Sequence, residues 1–168
     1  MTDAGNAKKA PKTRVVIYTD GGATPNPGLG GWAAVLISPA HGAVREIYDS
    51  VPCATNNRME LTAAIMALRA LKYPCDVELR TDSTYLKDAF TKGWLKKWMN
   101  NGWLTSNREP VLNKDLWEEL FDLSLKHDIK WRWTKGHASD AYNNLCDALV
   151  QKAKKRHGEN ATPKGKNA

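Results

Sequence analysis

Four carboxylates in the sequence lie where neighbouring elements of one fold could bring them together. Asp20 and Asp82 each end a predicted strand, Glu60 lies near the start of a helical pattern, and Asp147 lies within the last helical pattern. Carboxylates gathered at one place repel one another and are tolerated only when they are protonated or neutralised by cations. Magnesium takes hard oxygen ligands and often acts in phosphoryl transfer as a pair of ions about 3.5 to 4 Å apart. The four residues therefore indicate the chemistry of a metal-dependent nuclease.

Each of these carboxylates also has an ordinary structural interpretation. Asp20 could belong to an Asp-Gly turn, and Asp82 could cap the helix that follows it. Glu60 comes three residues after Asn57, which is the spacing of a capping box, although an apolar stripe on the same helix would turn it inward. Asp147 could lie on a solvated helix face. Taken singly, none of the four establishes a site, and only their convergence favours metal binding.

The elements that must position these residues begin with strand patterns and then alternate between helix and strand. Turn-rich sequence between the first three strands favours an antiparallel hairpin at one edge, and the later alternation favours parallel crossovers. We therefore predict an α/β fold with a five-stranded mixed sheet and helices on both faces. Ligands usually bind such sheets at the carboxyl ends of the parallel strands. The predicted strands are residues 14–20, 31–38, 43–51, 77–81 and 129–133, and the predicted helices are residues 57–71, 83–90, 94–101, 114–127 and 140–156.

Composition narrows the class of protein. A length of 168 residues suits one domain, and 42% hydrophobic with 26% charged residues argues against wholesale disorder. No apolar run approaches the roughly 20 residues that a membrane span needs, and the polar N-terminus gives no sign of a secretory signal, so we expect a cytoplasmic protein. The three cysteines have no metal-binding spacing and are expected to be reduced thiols. No glycine-rich nucleotide-binding motif is present in the sequence.

Basic charge is concentrated in the terminal segments. The net charge is +7, of which residues 1–14 carry +3 and residues 152–168 carry +5, so that the body is nearly neutral. We therefore predict flexible basic tails at residues 1–13 and 157–168 around a central catalytic domain at residues 14–156. Such tails could add nonspecific affinity for nucleic acid or only aid solubility.

One segment of the body combines basic and aromatic residues. Residues 92–108 hold four basic side chains, no acidic ones, and Trp94, Trp98 and Trp103. Cations beside an exposed aromatic ring suit a nucleic-acid backbone, through phosphate pairing and stacking. The tryptophans could instead pack a small helix onto the domain, which we expect of Trp98 and Trp103.

Five short motifs occur in a fixed order, and together they closely resemble bacterial type 1 ribonuclease H over about residues 14–153. A single one of them would be weak evidence, but TNNRMEL and KGHA in this order and spacing are specific. The motifs are YTDG at 18–21, NPG at 26–28, TNNRMEL at 55–61, TDS at 81–83 and KGHA at 135–138, followed by Cys146-Asp147.

The resemblance implies a ribonuclease H-like fold and an endonuclease that cuts the RNA strand of RNA/DNA hybrids, leaving 5′-phosphate and 3′-hydroxyl ends. Asp20, Glu60, Asp82 and Asp147 match the carboxylates that hold two Mg²⁺ ions, for which Mn²⁺ can substitute; one ion activates water and the other stabilises the leaving 3′-oxygen. His137 matches a proton shuttle. We expect a monomer that needs no protein partner and no membrane.

The resemblance also assigns substrate-binding positions. Short polar side chains suit the shallow minor-groove contacts that tell 2′-hydroxyls from deoxyribose, although without the family these residues are ordinary loop and N-cap formers. Thr84 departs from the glutamine of the well-known bacterial form. The matched positions are Asn26, Thr55, Asn56, Asn57 and Thr84, together with Trp94, Lys96 and Lys97 on the DNA-gripping protrusion.

Two other functions compete with this one. Integrases and transposases share the fold and use a glutamate about 35 residues after the second aspartate, and Glu118 lies 36 residues after Asp82. We interpret Glu118 as part of a polar helix face, because the TNNRMEL match favours Glu60. A hybrid-binding module without activity is the third possibility, which the presence of all four carboxylates disfavours.

Overall fold

A computed structural model of the chain describes residues 10–135 and 140–161. His137 and most of the two predicted tails lie outside the described residues. The strands are β1 (Thr13–Thr24), β2 (Gly28–Ser38), β3 (Ala43–Ala54), β4 (Cys75–Thr81) and β5 (Asp128–Trp133). The helices are α1 (Asn56–Arg69), α2 (Thr84–Thr91), α3 (Trp94–Asn101), α4 (Lys114–Ser124) and α5 (Ala141–Ala161), with a 3-10 turn at Pro39–His41.

The five strands form one mixed sheet in the order β3-β2-β1-β4-β5. The pairs β1–β2 and β2–β3 are antiparallel, whereas β1–β4 and β4–β5 are parallel, which confirms the predicted fold class. The parallel register pairs Tyr18 with Arg80. Two residues further along each strand, the same register brings Asp20 beside Asp82 at the carboxyl rim of the sheet.

Helices cover both faces of the sheet, because side chains alternate along each strand. Val15 and Ile17 of β1 join a buried cluster with α1, α2 and α4, whereas Val16 and Tyr18 join a second cluster with α5. Each fully buried leucine or isoleucine contributes about 2 kcal/mol through removal from water. The two clusters together fix β1 between α1 and α5. No described helix has an apolar stretch that could span a bilayer.

Strand β1 is longer than predicted. The Gly21-Gly22 pair, which follows the predicted end of the strand at residue 20, is paired with β2, and the ladder continues to Thr24 opposite Leu29. Gly21 occurs there because α1 approaches closely: a Cβ on it would come 2.4 Å from the carbonyl carbon of Met59. Gly31, opposite Gly22 in β2, is approached by α5 in the same way, since a Cβ there would come 2.8 Å from the carbonyl oxygen of Val150. Glycine within a strand can mark such close approach as well as a turn.

Helix α5 also exceeds its predicted end at Arg156 and runs to Ala161. Val150 and Ala153 are buried, so the apolar stripe of the helix continues among the charged residues. Residues 152–156, whose charge was counted with the C-terminal segment, therefore lie in the last helix, as its predicted bounds indicated. Those cations are carried by a helix that packs on the sheet.

Candidate active site

Three of the four carboxylates come together at the carboxyl rim of β1 and β4. Asp20, Glu60 and Asp82 each offer an oxygen, and these oxygens all lie within 4.8 Å of one another. Glu60 is buried, whereas Asp20 and Asp82 are partly exposed. The group therefore has one wall inside the protein and one side open to a substrate.

Close packing of α1 on β1 places Glu60 in this group. A Cβ on Gly21 would lie 2.4 Å from the carbonyl carbon of Met59 and 2.6 Å from the Glu60 nitrogen. Only glycine leaves room for the helix backbone, so Gly21 sets the distance between β1 and α1. Its own backbone N–H hydrogen-bonds to the charged forms of Asp20 and Glu60, which opposes in part the rise in pKa that burial causes in both.

Substituting Gly21 by alanine should therefore destabilise the protein by about 3 kcal/mol, because the added methyl group must push backbone rather than a flexible side chain. Chemical denaturation of the variant measures this loss. Gly22→Ala is the matched control, since a Cβ there meets only the Asn56 Oδ1 at 3.7 Å. Equal stabilities for the two variants would contradict the close-approach explanation.

The carboxylate group holds more negative charge than its surroundings neutralise. Burial, followed by the charge of Asp82, raises the pKa of Asp20 to about 7. Burial, followed by the charges of Asp20 and Asp82, raises the pKa of Glu60 well above its ordinary value. The Oε2 atom of Glu60 is buried and has no hydrogen-bond partner among the described residues. Hard oxygen ligands, excess charge and an unpartnered carboxylate oxygen fit a divalent cation such as Mg²⁺.

Asp147 lies outside the group of three. It is exposed on α5, yet its charge also raises the pKa of Asp20. The preceding residue, Cys146, is buried and donates its thiol hydrogen to the Tyr18 carbonyl oxygen at 3.4 Å. This contact holds α5 against β1, and it leaves Asp147 beside the rim with its side chain toward solvent.

The structural alternatives for Asp20 and Asp82 are wrong. Asp20 lies within the β1–β2 ladder opposite Ala33 rather than in a turn. The side chain that caps α2 is Ser83, whose hydroxyl accepts a hydrogen bond from the backbone at Leu86 at 3.1 Å. The Trp133 indole N–H, which the sequence did not single out, donates to the Asp82 carbonyl oxygen at 3.1 Å and ties the end of β5 to this residue.

The capping-box interpretation of Glu60 is also wrong. Thr55 caps α1, and its hydroxyl accepts from the Arg58 backbone N–H at 3.2 Å. Asn57 is instead an exposed residue of the first turn. The N-cap therefore lies two residues earlier than predicted, and Glu60 is left to face inward.

Two of the predicted substrate-binding asparagines form a link between the β1–β2 hairpin and α1. The Asn56 Oδ1 accepts from the Ala23 backbone N–H at 2.8 Å, and the Asn56 backbone N–H donates to the Asn26 Oδ1 at 3.1 Å. Thr84 is exposed at the start of α2. The hairpin end and the first turn of α1 are thus one hydrogen-bonded unit beside the carboxylates.

The basic aromatic segment forms α3 and the loop after it. Lys96 and Lys97 are exposed, and Trp98 and Trp103 pack against the core as predicted, with ring centroids 6.1 Å apart. Trp94 also packs on this core and is half-buried, with its ring centroid 6.2 Å from that of Trp98. Trp94 therefore presents less of its ring than an exposed aromatic would.

Comparison with known proteins identifies the family. The RNase H family model matches residues 12–155. The chain belongs to the RNase H family. It is 53% identical over 143 residues to the ribonuclease H of Caldanaerobacter subterraneus subsp. tengcongensis, covering 85% of this chain and 92% of that protein. It is 54% identical over 140 residues to the ribonuclease H of Anaplasma marginale, covering 83% of this chain and 90% of that protein.

A solved structure agrees with this RNase H assignment. LC9-RNase H1, described as a type 1 RNase H with the type 2 active-site motif, superposes with a TM-score of 0.77 at 29% identity. The match covers 88% of this chain and 75% of that chain. The predicted resemblance and the predicted enzyme class are confirmed, and this member of the RNase H family is a nuclease.

Glu118, the candidate of the integrase-like alternative, is separate from the RNase H carboxylates. It is exposed on α4 and pairs with Lys114 one turn earlier, at 3.4 Å. It is also absent from the carboxylate group that the described residues form. Glu118 therefore belongs to a polar helix face, as the sequence pattern indicated.

Sequence reasoning missed one cation beside this RNase H site. The Lys154 ammonium of α5 donates to the Thr24 hydroxyl at 3.0 Å, and its charge opposes in part the rise in the Asp20 pKa that burial causes. Lys154 lies seven residues after Asp147, which is two helical turns along the same face. Because residues 140–156 are predicted as a helix, that spacing could have identified Lys154 from the sequence.

Proposed function

We propose that this nuclease hydrolyses the RNA strand of RNA/DNA hybrids by a two-Mg²⁺ mechanism and leaves 5′-phosphate and 3′-hydroxyl ends. The observation that carries the proposal is the convergence of the Asp20, Glu60 and Asp82 oxygens within 4.8 Å at the open rim of the sheet. The relatives named ribonuclease H, at 53% and 54% identity, support the choice of substrate.

Asp20, Glu60, Asp82 and Asp147 would hold the ions, with Asp147 completing the set from α5. When bound, Mg²⁺ supplies Lewis-acid stabilisation of the attacking and leaving oxygens of the phosphodiester. The protein's own part is to keep a proton on the Asp20 and Glu60 carboxyl oxygens without a cation and to release it when a cation binds. The pKa of Asp20, raised to about 7 by burial, makes this exchange possible near neutral pH at that carboxyl.

We further propose that His137 carries protons during turnover, because imidazole titrates near neutral pH. His137→Ala should slow hydrolysis by about a hundredfold while the carboxylates still bind metal. Turnover of a labelled hybrid and calorimetric titration with Mg²⁺ measure the two properties separately. An unaffected rate, complete inactivity, or a loss of metal binding would each contradict the shuttle role.

Substrate would lie between the hairpin and α3. Asn26, Asn56 and Asn57, with Thr55, would face the minor groove, and Thr84 would face the RNA strand. Lys96, Lys97 and Trp94 would hold the DNA strand. The structure leaves Asn56 and Asn57 exposed in the first turn of α1, and it leaves Lys96 and Lys97 exposed on α3. Phosphate contacts of this kind set position and affinity.

Replacing Lys96 and Lys97 together by alanine should weaken hybrid binding about tenfold and lower the salt slope of binding by about 2, since each phosphate contact releases about one counterion. Fluorescence anisotropy over a series of salt concentrations measures both. The matched control removes Lys72 and Lys126, which precede β4 and β5 at the opposite end of the sheet. Equal slopes for both double variants would remove α3 from the binding site.

The function itself is tested with a labelled RNA/DNA hybrid beside matched RNA/RNA and DNA/DNA duplexes, with Mg²⁺ or with chelator. We expect metal-dependent cutting of the hybrid's RNA alone, lost in Asp82→Asn and retained in Glu118→Gln. Loss in Glu118→Gln with retention in Glu60→Gln would support the integrase-like alternative. Binding without cleavage by the wild type would support a hybrid-binding module.

We also propose a catalytic domain over residues 14–156 and action as a cytoplasmic monomer. All four proposed ligands come from a single chain, which supports the monomer. Sedimentation of the protein with and without hybrid tests it, and a dimer that alone is active would contradict it.

A further inference from the structure

Lys154 forms no salt bridge with an acidic residue in the part of the chain that the structure describes. Its ammonium donates to the Thr24 hydroxyl at 3.0 Å, and none of the ion pairs formed by those residues includes it. An ammonium has three N–H donors, so two remain for another acceptor. The helix therefore presents a charged donor at the rim that the protein does not neutralise by a salt bridge.

The stem of Lys154 is held in place by the sheet. Its Cγ would lie 3.1 Å from a Cβ on Gly31, so the absence of a side chain at Gly31 lets the stem lie against β2. Lys154 is only half-exposed for this reason. A lysine fixed by its stem and by one hydrogen bond loses less rotamer freedom on binding than a fully solvated lysine does.

The position of this ammonium connects it to the proposed substrate site. Thr24 lies two residues before Asn26, and the same hairpin end is bonded to Asn56 of α1. On the other side, the charge of Lys154 reaches the carboxylate group at Asp20. Lys154 is therefore bonded to the same hairpin end that carries Asn26, and this hairpin end continues β1 from Asp20 of the carboxylate group.

We propose that Lys154 binds a backbone phosphate of the nucleic-acid strand that enters the carboxylate group. This inference rests on the proposed function, since it concerns the substrate of that same site. Lys154 of α5 and the lysines of α3 then contact the duplex from two different helices. Two free N–H donors beside a hydroxyl offer the geometry that a phosphate oxygen accepts.

The test compares Lys154→Met, which keeps most of the stem and removes the charge, with Lys152→Met. Lys152 is on the same helix and makes the same charge change, but its ammonium lies over the Tyr48 ring, 5.4 Å from the centroid, above β3. Binding of a fluorescent RNA/DNA hybrid is measured by anisotropy against salt, in an Asp82→Asn background that prevents cleavage. Thermal unfolding verifies that both variants are folded.

We expect Lys154→Met to weaken binding about threefold to fivefold and to lower the salt slope by about 1, while Lys152→Met leaves the slope unchanged. Lys154→Arg should restore the slope, because it keeps the charge. An unchanged slope in Lys154→Met, or an equal loss in Lys152→Met, would overturn the contact. Wild-type protein that cuts no hybrid would instead overturn the proposed function, and the slopes remain measurable in that case.

Discussion

Replacing Glu60 by glutamine is expected to reduce hydrolysis of a hybrid at least about a thousandfold while making the metal-free protein more stable. The activity falls because residues that hold a metal act as a unit, so the loss of one removes most of the catalysis. The stability rises by about 2 kcal/mol at pH 8, because a buried carboxylate among like charges is replaced by a neutral group of the same shape. Opposite effects on activity and stability distinguish a functional residue from a structural one.

Single-turnover cleavage with Mg²⁺ and urea denaturation with chelator measure the two effects of Glu60→Gln. Glu118→Gln is the matched control, because Glu118 is an exposed glutamate paired with Lys114. We expect it to change neither quantity by more than the usual surface effect of about 0.5 kcal/mol. A Glu60→Gln variant that is both inactive and less stable would mean that Glu60 supports the fold rather than the chemistry.

The second large effect concerns pH. Without metal, the free energy of unfolding is expected to decrease by about 4 kcal/mol through Asp20 alone as the pH rises from about 4 to about 7. Burial and the neighbouring Asp82 raise the pKa of Asp20 from 3.8 to about 7 in the folded protein. Below about pH 4 the Asp20 carboxyl is protonated in both the folded and the unfolded chain, so its contribution to the free energy of unfolding is fully present. Between about pH 4 and pH 7 only the folded chain keeps the Asp20 proton, and the stabilisation is lost as the pH rises.

Urea denaturation at several pH values in chelator measures this dependence, and the difference between the wild type and Asp20→Asn isolates the residue. The subtraction is needed because other carboxylates act in the opposite direction: hydrogen bonding to Arg58 lowers the pKa of Asp115, whose contribution is lost as the pH falls below about 4. Mg²⁺ should restore stability at pH 8, since it binds the ionised carboxylates. A wild type and variant with parallel pH profiles would contradict the raised pKa.

The convergence at the rim could be predicted because it follows from connectivity. An antiparallel hairpin at one edge leaves β1 to pair with β4, and the carboxyl ends of parallel strands point the same way. Asp20 and Asp82 therefore meet whatever the details of packing. Glu60 could be predicted only in part, since its inward direction depends on where α1 begins, and Thr55 rather than Asn57 determines that start.

The parts that sequence reasoning missed depend on contacts between distant segments. The role of Gly21 arises from the backbone of α1, and the role of Gly31 from α5, so local turn chemistry gave the wrong end for β1. Charge counting grouped Lys152 to Arg156 with the C-terminal segment because composition is averaged, although the helical pattern includes them. Buried Ala153 within that run shows the helical periodicity that composition conceals.

Helix α3 is joined to the domain through aromatic rings. The ring of Trp98 lies 5.6 Å from the fully buried Trp117 of α4 and contacts Trp94 and Trp103 on either side. A helix fixed in this way has already lost its backbone freedom before any ligand arrives, so binding must order only the lysine side chains. The entropy of association at the proposed binding surface would therefore be set by lysine rotamers and released counterions, with no folding of the helix coupled to binding.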